Sequence, residues 1–178
     1  HTTAFTVDST QPYFTSKPAI KNWKDTVIAI SVQGMKVGST DIRDYKNGKT
    51  YVNGDAKIAL DSNMLAHILL DGTGDYISMP DANSNFGTSD FTLEWFLTRN
   101  STTYSGNIFC TRGSSVNEGI LIGFSNTSPY GLYINLGASG TWGFTNSYNI
   151  TADTNLFHLA VVRKSNVIYI YVNGILFN

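Results

Sequence analysis

The chain has 178 residues, 42% hydrophobic and 14% charged, with twelve Lys and Arg against thirteen Asp and Glu for a net charge of −1. That length suits one domain with a sizeable core, the scattered and balanced charge excludes electrostatic capture of nucleic acid or an anionic membrane, and the single cysteine, Cys110, excludes an intrachain disulfide or a thiolate zinc site. No apolar run reaches the roughly 20 residues of a membrane-spanning helix, and the abundance of Gly, Ser, Thr and Asn beside 13% aromatics is the composition of an extracellular or virion β-protein.

Residues 1–21 begin at His1, carry Pro12 and Pro18 and show no sustained periodicity. They read as an extended lead-in, with Tyr13 and Phe14 docking on the body and residues 22–178 forming the domain. With no signal-peptide hydrophobic region after His1, the chain is expected to be a segment of something longer. Val27 to Val32 is apolar on both faces and reads as a central strand. The polar stretch Gly34 to Gly54 follows, with tight-turn signals at Asn47-Gly48 and Asn53-Gly54 and a short edge strand from Lys49 to Val52. Ala56 to Leu60 is a weak strand, and Asp61 is placed to cap one helical turn over Ser62 to Ala66.

The stretch Leu69 to Leu97 organises the rest. Tyr76 to Pro80 alternates, and Phe91, Leu93, Trp95 and Leu97 alternate with Thr92, Glu94 and Phe96, the period of a half-buried strand. Asp71, Asp75 and Asp81 read as turn residues around Gly72 and Gly74. Beyond Leu97, strands are expected at Asn107 to Arg112, Gly119 to Ser125, Tyr130 to Leu136, Thr141 to Phe144, Phe157 to Arg163 and Val167 to Val172, the last two as a hairpin. In the strand at Asn107, Ile108 and Cys110 share a face, and Cys110 reads as a buried small hydrophobe. About ten short strands with almost no helix argue for an antiparallel two-sheet sandwich or jelly roll. Phe91, Leu93, Trp95, Leu159, Val161, Ile168 and Ile170 are expected to share one core.

Three passages resemble the laminin G-like, concanavalin A-like lectin/glucanase superfamily, in the jelly-roll variety frequent in phage tail and virion proteins. Leu70-Asp71-Gly72-Thr73-Gly74-Asp75-Tyr76 is similar to its F-D-G-T-G-D-Y strand, and Phe86-Gly87-Thr88-Ser89-Asp90-Phe91-Thr92 to its F-G-T-G-D-F-T strand. Phe157-His158 to Arg163, followed by Tyr171-Val172-Asn173-Gly174, resembles its W-H-H-V-A-V-V-R and Y-V-N-G hairpin. The resemblance implies an all-β antiparallel jelly-roll sandwich, and the family commonly adds strands after the last turn, so the domain is expected to lack its last strand or strands. Where the family often has Asp-Gly after its early strand, this chain has Gln33-Gly34, which removes one cation ligand.

The sites divide by chemistry. Glycoside hydrolysis needs two carboxylates flanking a bond; the chain has only Glu94 and Glu118 as glutamates, far apart, so no enzyme is expected. A structural Ca2+ needs hard oxygen ligands, and Asp41, Asp44 and Asn47 form the best group, with turn formation as the competing role of the same residues. Saccharide binding needs flat aromatic faces with amide and hydroxyl groups, which makes Tyr104, Tyr130, Trp142 and Tyr148 the candidates, while Trp23 and Trp95 read as core. His67 and His158 are not at metal spacing. The expectation is a non-catalytic adhesion or structural module of a virion, a phage tail, fibre or capsid decoration, that binds glycan or a neighbouring virion protein and forms homo-oligomers. The alternatives are a secreted bacterial carbohydrate-binding domain and, from another class, a fragment of a polysaccharide hydrolase.

Overall fold

A computed structural model describes residues 28–32, 35–46, 49–50, 52–61, 64–78, 86–99, 101, 103, 105–111, 119–127, 131–138, 141–148 and 156–177. The expectations for the lead-in, for Trp23 and for Asp81 lie outside these residues. Among the described residues every regular element is a strand and every pairing is antiparallel. Among the described residues no helix is long and apolar enough to cross a membrane. The chain divides into two compact units, 1–83 and 84–178.

The first unit contains β1 (Arg43–Asp44), β2 (Lys49–Thr50), β3 (Val52–Asn53), β4 (Lys57–Leu60), β5 (Ala66–Leu69) and β6 (Ile77–Ser78), which form three two-stranded ladders. Ile42, Ala56 and Ile58 are its buried centre, with Ile30, Val32, Ala66, Ile68 and Ile77 packed around them. Two expectations fail here. The described part of the expected central strand, Ile28 to Val32, forms no ladder: Ile30 makes a single bridge to Asp44, although Ile30 and Val32 do join the core. Nor does Asp61 start a helix. Its N–H donates to the Leu65 carbonyl and its Oδ1 accepts from the Leu65 N–H, closing the hairpin between β4 and β5, with Met64 in the left-handed region at φ 63°. The same capping carboxylate that would begin a helix also closes a tight reversal, and pairing of Ile58 with Ile68 favours the reversal.

The second unit is a two-sheet sandwich. One sheet has the order β11-β10-β9-β8, built from β8 (Gly106–Cys110), β9 (Gly119–Phe124), β10 (Leu132–Ala138) and β11 (Thr141–Tyr148). The other has the order β14-β13-β12-β7, built from β7 (Phe91–Leu97), β12 (Phe157–Lys164), β13 (Val167–Val172) and β14 (Ile175–Leu176). Ile120, Ile122, Phe124, Leu132 and Ile134 from the first sheet meet Phe91, Phe157, Leu159, Val161 and Ile170 from the second in one core. All seven residues expected there belong to it, Leu93, Trp95 and Ile168 at its margin. Burying each such side chain contributes about 1.5–3 kcal/mol.

The sequence motifs explain the register. Ser165 and Asn166, at φ 50° and 65°, make the two-residue turn between β12 and β13, and Asn173 and Gly174, at 52° and 77°, make the next one into β14. Two successive positive φ values give the turn whose twist matches paired strands. Asp90 accepts the Ser165 N–H at 2.9 Å, and Arg163 donates to the Gly87 carbonyl at 3.1 Å and to Asn166 Oδ1 at 2.9 Å. The Gly87-to-Asp90 turn thus fastens β7 to the hairpin it pairs with.

Candidate functional site

The strands β8 to β11 contain no Asp, Glu, Lys, Arg or His. The inward positions of β9 and β10 are apolar residues of the core, so their alternation sends Leu121, Gly123, Tyr133, Asn135 and Gly137 to the opposite face. Pairing fixes which residues share it: Tyr133 stands opposite Gly123 and Ser147, Asn135 opposite Leu121 and Thr145, Gly137 opposite Gly119 and Trp142, and Asn107 opposite Gly123. Asn107, Thr145 and Ser147 are exposed; Tyr133, Asn135 and Trp142 are half-buried.

Tyr133 is held across the sheet. Its hydroxyl donates to Asn107 Oδ1 at 2.6 Å. A Cβ built on Gly123 would fall 2.5 Å from that hydroxyl and 2.7 Å from the ring carbon bearing it, so the outer end of the ring crosses directly over the glycine. Glycine is what lets the ring come down onto the strand. Asn135, two residues along, has an Oδ1 screened from solvent that meets no donor among the described residues. Further along the same row, the register shift between Leu136 and Gly137 brings Trp142 opposite Gly137. The face therefore offers one pinned phenol ring, an indole, and amide and hydroxyl groups between them, the equipment that C–H faces and hydroxyls of a sugar ring would engage.

Of the four residues expected to bind saccharide, Trp142 lies on this face. Tyr148 sits at the end of β11, with its side chain outside the description, and Tyr104 and Tyr130 lie outside the described residues. Tyr133 and Asn107 escape the sequence reading. The alternation Leu132-Tyr133-Ile134 is legible and puts Tyr133 on the solvent side, but its seat on Gly123 depends on strand register, which no local pattern encodes.

The expected cation loop is differently occupied. Asp41 takes the Arg43 guanidinium, through Nε at 2.8 Å and through Nη2. Asp44 is fully buried and its Oδ1 accepts the N–H groups of Ala29 and Lys46, both at 2.9 Å. Asn47 lies outside the described residues. Among the described residues, the carboxylates that converge are Asp55, Asp71 and Asp75, whose ligand oxygens lie within 4.8 Å of one another. Asp71 Oδ1 accepts the Thr73 N–H at 3.0 Å and Asp75 Oδ2 accepts the Gly72 N–H at 2.9 Å, so the Asp-Gly-Thr-Gly-Asp loop is laced by its own carboxylates. Burial works to raise the Asp75 pKa, but the Gly72 amide, a hydrogen bond with Asp71 and the Asp71 and Thr73 amides outweigh it and leave the group below the ordinary carboxylate value. Three oxygens so placed are the chemistry a hard divalent cation accepts.

Elsewhere, Cys110 is exposed, against expectation. The ladder of β8 with β9 shifts between Asn107 and Phe109, so Ile108 and Phe109 both pack on the core and Cys110, opposite Leu121, turns to the outer face. Glu94 faces solvent as expected, 3.5 Å from His158 Nε2, and the His158 ring packs on Phe96 with centroids 4.8 Å apart.

Comparison with known protein families matches the chain to the concanavalin A-like lectin/glucanases superfamily over residues 71–178. Neither the curated proteins nor the solved structures yield a match.

Proposed function

The chain belongs to the concanavalin A-like lectin/glucanase superfamily, and from that premise we propose that it is a non-catalytic carbohydrate-binding module whose binding face is the outer side of the sheet β8 to β11. The observation that carries the reading is Tyr133, laid over Gly123 and pinned by Asn107, in one row with Asn135 and Trp142. The absence of any carboxylate from these four strands supports binding without bond cleavage at that face, because glycoside hydrolysis needs two of them. The low charge and the hydroxyl-rich and amide-rich composition favour an extracellular or virion-surface setting such as a phage tail or fibre. A cation requirement, where binding shows one, attaches to Asp55, Asp71 and Asp75 rather than to the Asp41 loop.

A second reading, contact with a neighbouring protein, is favoured by the outer side of the other sheet, where Phe96 is 73% and Leu176 53% exposed. A glycan array separates the two. The carbohydrate reading expects binding by the whole chain that is lost in Tyr133→Ala while the melting temperature of the variant stays close to that of the parent. Silence across the array, or binding that survives both Tyr133→Ala and Trp142→Ala, refutes it.

A further inference from the structure

Resting on the carbohydrate-binding reading, we infer that this face takes an uncharged, extended saccharide, gripped between the Tyr133 ring over β9 and Trp142 on β11, and discriminates against both charged polysaccharides and single sugars.

The first argument is charge. A face that recognises sulfate or uronate carries Arg or Lys, because a fixed cation supplies the charge-assisted hydrogen bonds an anion needs. Here not one of the four strands bears a charged residue, although β12, in the other sheet, holds His158, Arg163 and Lys164. The exposed outward groups are Asn107, Thr145 and Ser147, uncharged amide and hydroxyl groups that suit neutral hydroxyls as partners. A carboxylate or sulfate laid against this face would leave water without a counter-charge.

The second argument is length. Trp142 stands opposite Gly137, four residues along β10 from Tyr133, which separates the two rings by about 13 Å along the strand at about 3.3 Å per residue. A single pyranose cannot touch both. Between the rings lie Asn135 and Thr145, paired to each other, so polar contacts fall in the middle of the row and aromatic ones at its ends. The line between the rings crosses β10 obliquely, from the Tyr133 ring over Gly123 to Trp142 on β11, and Gly137 keeps the floor beside Trp142 low.

The experiment uses isothermal titration of the whole chain with maltoheptaose, cellohexaose, laminarihexaose and mannohexaose, their disaccharides, heparin and polygalacturonate, each at low and high sodium chloride. The expected result is binding to at least one neutral oligosaccharide, an affinity changed less than about twofold by salt, at least tenfold weaker binding of the matching disaccharide, and losses of roughly tenfold each for Tyr133→Ala and Trp142→Ala. Binding that is abolished by those substitutions yet prefers heparin or polygalacturonate, weakens steeply with salt, or is as tight for the disaccharide overturns this inference and leaves the carbohydrate-binding face standing. No binding to any of these probes, or binding indifferent to both substitutions, overturns the two together.

Discussion

At the scale of single residues, Asn135 has a side-chain carbonyl that folding has taken out of water and given no donor among the described residues. An unsatisfied buried acceptor costs about 1–3 kcal/mol, whereas an apolar group of similar shape in its place is neutral or better. Because β10 lies between two partner strands, a β-branched side chain suits the position. Asn135→Val is therefore expected to leave the stability unchanged or raise it by about 1 kcal/mol, measured by urea denaturation. A clear loss of stability would make the amide structural. Asp75 carries the opposite relation to folding: its folded pKa lies below the ordinary 3.8, so its contribution is present above that value and is lost as the pH falls through the folded one. The urea midpoint should fall with pH below 3.8 in the parent, and less steeply in Asp75→Asn. In the core, Leu159→Ala at a fully buried site should lose about 2–5 kcal/mol in the same measurement.

Elements follow rules that single residues do not show. Ser165 occupies the left-handed region at φ 50° in the turn between β12 and β13, where a side chain branched at Cβ is strained. Ser165→Val should lower the stability by about 1–2 kcal/mol while Ser165→Gly holds or raises it, since both keep the N–H that donates to Asp90. The bulge in β8 makes a chemical prediction: Cys110, the chain's single cysteine, should react with a maleimide in the native protein at one label per chain, without denaturant. Both features mark where sequence reasoning holds and where it stops. The strands β7, β9, β12 and β13 are legible because period-two alternation and two-residue turns are local signals. The phase of β8 is not, because one extra residue inverts every later side chain and only pairing with β9 reveals it. The reversal at Asp61 passes for a helix start because the carboxylate cap is the same in both. The proposed binding face behaves similarly: Trp142 is visible as an aromatic among polar residues, while Tyr133 gains its meaning from Gly123 on a neighbouring strand.

On the scale of the whole molecule, the two compact units are built to different depths. Among the described residues, the core of 84–178 gathers ten buried apolar side chains and that of 1–83 gathers three, a gross difference on the order of 10 kcal/mol of burial. The ladders differ in the same sense: β9, β10 and β12 each have six to eight residues, whereas β1 to β6 have two to four. Local opening follows the density of buried contacts, so short ladders over a small core should open at lower free energy than long ones over a large core. Native-state hydrogen exchange tests this directly. The amides of Ile122, Ile134 and Val161 should exchange near the global limit, and those of Ile58 and Ile68 should exchange sooner, through an opening that leaves the sandwich intact. Such an order makes the Asp-Gly-Thr-Gly-Asp loop, which the first unit carries, adjustable while the sheet β8 to β11, the proposed binding face, stays rigid. Equal protection of Ile68 and Ile134 would mean that the units open together, and that division of roles would fail.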